Sequence, residues 1–351
     1  MKSNEEIISA LKKFYSGESG TSVVQIRGID ECVPHIAARP LCDWDLDNEL
    51  EAYLDLRAER ALKYWENRSD IDDMMMPSVG VWYGIAEHTA WLGGEVRFTD
   101  DTSYHLQALS DPRDFASFRR DGENIWLRRV EGGIAYLKEK YGDRLLVKLR
   151  GADAPSDIAN ALRGNDLFYD VYDDPDAVRE MASFCADAMR FYFDRQQKAA
   201  GTVCGGYLTG FDIWLPGNSV GQISEDASCM LSREMYRELF FDALRKAVAG
   251  YDNVMLHTHS LGEKHIPTFA ELKNISVVEI SNDPNAERAI NVWRRYKNVL
   301  RDKIVIVEPT IEELRGNTDL LSDCRSIIWY DAKTKEEARA VCDLMKPFGV
   351  K

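Results

Sequence analysis

The sequence predicts an α/β fold, a (β/α)8 barrel of parallel strands behind an N-terminal helical extension, and three observations carry that prediction. Short β-branched or apolar runs alternate with amphipathic helical stretches, the rhythm of repeated βα units. The runs are eight: 22–27, 73–79, 145–150, 202–208, 253–259, 277–281, 303–308 and 326–331. Several, such as Ile304-Val-Ile-Val307, are apolar without alternation, as expected of a parallel strand covered on both sides.

Ser3-Asn-Glu-Glu6 has the form of a capping box, so a helix is expected near the N-terminus, ended by Gly17. Residues 1–20 are assigned to this helix and about 21–351 to a single barrel domain, since no linker, repeat or low-complexity tract marks a second one. A long helical stretch spans 48–67. Asp174-Pro175 opens a helix that runs to Gly201, and Ser232 caps one that ends near Gly250. Thr310-Ile-Glu-Glu313 and Thr334-Lys-Glu-Glu337 are further capping boxes. The stretch 81–120 is less regular; Glu95-Val-Arg-Phe98 suggests a hairpin in an elaborated loop that partly covers the barrel mouth. An open doubly wound sheet is the alternative. Against it, no G-x-G-x-x-G follows the first strand, and Gly205-Gly206 lies within a strand run.

At 351 residues, 45% hydrophobic and 29% charged, the chain buries a substantial core. Its formal charge of −15 argues against nucleic acid or an anionic membrane as partner, because such binding draws on Lys and Arg neutralising phosphates. No secretory leader or spanning apolar stretch is visible, so a cytoplasmic location is expected. The seven cysteines contain no C-x-x-C pair and read as reduced thiols.

In such a barrel the reactive groups project from the C-terminal ends of strands. The run Asn253-Val-Met-Leu-His-Thr-His259 is the sharpest case, because the pleat points residues two apart to one face. His257 and His259 therefore face the mouth together, where two imidazoles can bind a metal or divide acid and base roles. The plain alternative is one buried structural histidine and one exposed. Glu279, Glu308 and Asp331 end other strands; any of them can complete a His-His-acid metal site, act as an acid or base, or simply cap a helix. Arg27 and Arg150 end two more and can clamp a substrate carboxylate or pair with neighbouring acids. Residues 212–226 read as a loop walling a pocket, with Trp214 and the strand-end Tyr330 as candidate substrate contacts.

Several pieces, in order, resemble one known family. They are Asp73-Met-Met-Met-Pro77 and Trp91-Leu-Gly-Gly-Glu-Val-Arg-Phe98, then Gly164-Asn-Asp-Leu-Phe-Tyr-Asp170 with Asp173-Asp-Pro175. Ser224-Glu-Asp226, Met230-Leu-Ser-Arg-Glu-Met-Tyr-Arg-Glu238 and Leu256-His-Thr-His259 with Ser260-Leu-Gly262 follow. Together they resemble the uroporphyrinogen decarboxylase superfamily, which includes methyltransferases that move methyl groups to or from corrinoid or thiol carriers. The resemblance covers most of the chain from about residue 73 and implies a TIM barrel. The M-R-Q-A-G-R segment with which true uroporphyrinogen decarboxylases hold their substrate's carboxylates is missing; Val24-Gln-Ile-Arg-Gly28 offers only Arg27. The corrinoid-dependent methyltransferase branch is nearer. Its members hold zinc through an H-x-C pair at this strand end and a later Cys. Here the pair is His257 and His259, Cys324 precedes the last strand and Cys342 follows it.

A His-His-carboxylate set is harder than a thiolate set and suits oxygen ligands. The resemblance thus implies a methyltransferase-like enzyme with zinc on His257, His259 and one of Asp331, Glu308 or Glu279, working with a small substrate and a corrinoid protein. Two other functions stay open. One is a lyase or decarboxylase in which Arg27 or Arg150 orients a carboxylate and His257 delivers a proton; the other is a non-catalytic barrel that binds a small molecule.

Overall fold

The computed structural model describes residues 2–118 and 124–350, so the last two residues of the irregular 81–120 stretch lie outside the described residues. Helix α1 (Asn4–Ser16) starts as expected: the Ser3 hydroxyl accepts the Glu6 N–H, the Glu6 carboxylate accepts the Ser3 N–H, and Gly17 at φ 77° ends it. Ile7, Ile8, Leu11 and Phe14 are its buried face.

The strands that matter for the site are β1 (Ser22–Ile29), β2 (Ser78–Val79), β3 (Leu146–Val147), β4 (Ala152–Asp153), β5 (Ser219–Ser224), β6 (Asn253–His259), β7 (Ile275–Ser281), β8 (Ile304–Val307) and β9 (Ser326–Ala332). Seven form one parallel sheet in the order β1-β9-β8-β7-β6-β5-β4, and β2 and β3 form a separate parallel pair. A single backbone bond, Met74 N to Val24 O at 3.0 Å, joins the run before β2 to β1. Helices α2 (Leu50–Asn67) and α3 (Pro175–Ala200) begin and end close to their sequence signals, and α4 (Lys335–Met345) begins at its own, Thr334. The hairpin Val96–Phe98 with Ser103–His105 lies in the irregular stretch, as expected. Among the described residues no helix is long and apolar enough to cross a membrane.

Strand alternation sorts the core. Met255, Val277, Ile306, Ile327 and Trp329 share one face and cluster with α1, while Leu256, Val278, Val305, Ile328 and Tyr330 share the other and pack on the outer helices. Both faces are apolar, which is why the runs do not alternate in hydropathy.

Two strand assignments change. Of 73–79 only Ser78–Val79 is a strand, because the Asp73 side chain itself accepts the Ile26 N–H of β1 at 2.8 Å where a ladder carbonyl would otherwise be. The run 202–208 does not enter the main sheet: Gly206–Leu208 pairs antiparallel with Trp214–Pro216 in a hairpin. Its place is taken by β5, from the stretch read as a loop. The stretch 212–226 is rich in loop formers, but its Gly221 serves a close strand approach, since a Cβ at this position would lie 2.7 Å from Met255 Cβ.

Candidate metal centre

His257 and His259 stand on β6 with the parity of Met255, so both rings turn to the face whose apolar residues cluster with α1. Parallel pairing sets His257 beside Glu279 of β7 and Ser224 of β5. Two residues past the end of β5 comes Asp226. Its turn is fixed by Asp157, whose carboxylate accepts the N–H groups of Asp226 at 2.8 Å and Ala227 at 2.6 Å.

Asp226 Oδ1 lies 3.3 Å from His257 Nε2 and 3.4 Å from His259 Nε2. One donor atom from each of the three residues falls within 4.8 Å of the others. The far side of each ring is held by a carboxylate: His257 Nδ1 donates to Glu279, and His259 Nδ1 donates to Asp283 at 2.7 Å. Glu279 is steadied in turn by the Ser281 hydroxyl at 2.8 Å, and Asp283 by the Leu261 N–H at 2.8 Å. Carboxylates only accept, so Nδ1 of each ring is a donor; Nε2 faces Asp226, to which it donates while the ring is protonated and from which it would give up that proton to bind an ion.

This donor set fits a divalent metal. Ligand atoms about 2.0–2.1 Å from a tetrahedral zinc are about 3.3 Å apart, which matches the two separations above. The carboxylates behind both imidazoles are the partners that metal-binding histidines use to fix tautomer and orientation. Without an ion the charges lean on one another. Burial opposes a charge on His257, but Glu279 and Asp226 outweigh it and push its pKa up to about 10. Burial likewise opposes ionisation of Asp226, yet the hydrogen bonds from both histidines hold its carboxyl well below the usual range. Behind them, burial pushes Glu225 up to about 7 despite hydrogen bonds from Ser156 and Tyr236.

His257 and Asp226 border a cavity of about 660 Å³. One end carries Asp153, Asp157 and Asp226; the other carries Arg27, Arg57 and Lys148. Phe211 lies between, its ring centroid 5.4 Å from that of His257 and 5.6 Å from the Arg27 guanidinium. His88 is a further polar wall that the sequence reading missed; its Nδ1 donates to Asp153 at 2.9 Å.

The other expected site residues fall as follows. Glu279 stands behind His257 and directs its carboxylate to Nδ1, away from the converging atoms. Glu308 and Asp331 are outside the three-residue cluster; they crowd each other, and burial with the nearby Asp331 charge raises the Glu308 pKa. The third converging group, beside the two histidines, is the acid Asp226. It was missed because β5 was read as a loop, although Ser224-Glu-Asp226 ends a strand in the same way as the other acids. Arg27 stacks 4.3 Å over Trp329 and lines the cavity. Arg150 also lines it but is bound to Glu87 at 2.8 Å and lies against His88 Nε2 at 3.1 Å, so it serves a buried ion pair.

The two aromatic candidates are corrected. Trp214 is fully buried, donates its indole N–H to Val203 O at 2.9 Å and packs beside Tyr15 of α1, away from the cavity. Tyr330 has the outward parity and gives its hydroxyl to Glu337 of α4 at 2.6 Å. Trp214→Ala is therefore expected to cost about 3–5 kcal/mol of stability, read by urea unfolding, with no change in metal content. A loss of metal with unchanged stability would contradict this placement.

No family model matches the chain, and no curated protein matches it in sequence. Among solved structures it is similar to a methyltransferase from Methanosarcina mazei, with a TM-score of 0.63 and 13% identity over 97% of this chain and 98% of that one. At that identity the likeness is one of fold.

Proposed function

We propose that this chain is a methyltransferase-like enzyme of the uroporphyrinogen decarboxylase superfamily, with zinc on Asp226, His257 and His259 and a small carrier or a corrinoid protein as partner. The observation that carries the reading is the convergence of Asp226 Oδ1 and two Nε2 atoms, each ring backed by a carboxylate. The likeness in fold to a protein named as a methyltransferase supports it. The barrel is closed in this reading: β3 and β4 are two parts of one third strand, and the bond from Met74 to Val24 is the seam.

Bound here, the ion would supply Lewis acidity towards an oxygen or nitrogen that bears the methyl group. Glu279 and Asp283 keep both rings aimed at it. Phe211 shields the centre from water and supports an apolar substrate body, and Arg27 and Arg57 orient the substrate from the basic end of the cavity. A lyase is the second reading, favoured by a His257 that Glu279 and Asp226 hold protonated, one ring away from Arg27.

Metal analysis of protein purified without chelator tests the proposal. One zinc per chain is expected, with methylation of free cob(I)alamin by a suitable O-methyl donor as the activity readout. If no transition metal is present and none binds on addition, the metal reading is wrong and proton delivery by His257 is the reading left.

A further inference from the structure

We propose that a second chamber, opening off the cavity beside the metal centre, recognises an anionic head group of the substrate, a carboxylate or phosphate, through Arg27, Arg57 and Arg60. The chamber measures about 370 Å³ and shares Arg27, Arg57, Lys148 and Asp212 with the larger cavity. Its only lining carboxylate, Asp212, is already engaged by Lys148 at 2.7 Å and by the Ser78 hydroxyl at 2.5 Å.

The three arginines have no ion-pair partner among the described residues. Arg39, Arg68, Arg150 and Arg288 are matched to carboxylates, and Arg190, Arg233 and Arg325, elsewhere on the molecule, also lack an ion pair among the described residues; what sets Arg27, Arg57 and Arg60 apart is that all three line one chamber. Each guanidinium is nonetheless held in place. Arg57 Nε donates to Gly80 O at 3.1 Å, Arg60 Nη1 donates to Ile36 O, and the Arg27 guanidinium sits 4.3 Å from the centroid of the Trp329 ring. Positions 57 and 60 are one turn apart on α2, so both side chains leave the same face of the helix and line the chamber. Fixed guanidinium forks with unused donors are what an oxyanion requires.

Apart from Tyr64 and Ser78, the rest of the wall is apolar: Val33, Pro34, Ala61, Trp65 and Met75. The ligand is therefore an organic anion, not a bare ion. With its head at Arg27, a body about the length of one aromatic ring passes Phe211 and reaches His257. The assignment of that far end as the reacting end rests on the metal reading; the head-group site rests on the arginines.

Calorimetric titration of the full chain, metal-free and zinc-loaded, with benzoate, phenyl phosphate and benzyl alcohol tests the inference. One of the two anions is expected to bind at least tenfold more tightly than the neutral alcohol in both forms, and the tighter anion identifies the head group. Arg57→Met and Arg60→Met should each weaken that anion by roughly tenfold or more, Arg57→Lys should recover part of the loss, and zinc stoichiometry should not change. Raising sodium chloride should weaken the anion and spare the alcohol, which gives a second readout should a variant fail to fold. Anions no tighter than the alcohol, or arginine variants with unchanged affinity, would overturn the proposal. Anion binding that persists in a protein unable to bind zinc would leave this site standing and reject the metal reading alone.

Discussion

Asp226→Ala is expected to abolish stoichiometric zinc binding, whereas Glu308→Gln and Asp331→Asn should retain it. Glu279, Glu308 and Asp331 look equivalent in the sequence, but it is Asp226, from the stretch expected to be a loop, that places an oxygen within 3.4 Å of both Nε2 atoms. Removing it leaves two nitrogens, too few for a structural or catalytic zinc site. Glu279→Gln and Asp283→Asn should have a smaller effect, about 10–100-fold in zinc affinity, since they orient ligands without touching the ion. Competition against a chromophoric chelator reads all five variants on one scale. Wild-type affinity in Asp226→Ala, or loss of zinc in Asp331→Asn, would sink the assignment.

Asp73→Asn is expected to destabilise the fold by about 3–5 kcal/mol, because it leaves a fully buried guanidinium without its counter-charge. Arg68, 1% exposed, donates to Asp73 at 2.7 Å and to Ile26 O at 2.7 Å, while Asp73 also accepts the Ile26 and Met75 N–H groups. One carboxylate thus ties the end of α2 and the approach to β2 onto β1, immediately before Arg27. Burial raises the Asp73 pKa, with Arg68 and those backbone N–H groups opposing. Replacing both partners by apolar residues, as in Arg68→Met with Asp73→Leu, should recover much of the loss, since no unpaired charge then remains. Urea unfolding measures both effects. A shift below 1 kcal/mol for Asp73→Asn would mean that water or another group satisfies Arg68.

Much of this architecture was legible because it obeys local rules. Capping boxes at Ser3 and Thr310 start helices through side chain to backbone bonds three residues away, and both form as read. The parallel strand 304–307 is legible from its unbroken apolarity, and 253–259 from the apolar Val254-Met-Leu256 that leads to its two histidines. The misreadings share one cause: a distant partner overrode a local signal. Asp73 supplanted a ladder bond of β1, and Gly221, in a stretch rich in loop formers, proved to be a contact with Met255.

The same division runs through the candidate site. The sequence alone determined that His257 and His259 share a face, because the pleat has period two and nothing distant can change it. Which acid meets them, which arginines stay unmatched, and that Trp214 and Tyr330 turn away from the cavity were decided by tertiary structure. Those facts depend on how β5 lies beside β6, how α2 leans over the end of β1 and which face clusters with α1. Such contacts join residues tens to hundreds of positions apart, and no local pattern encodes them.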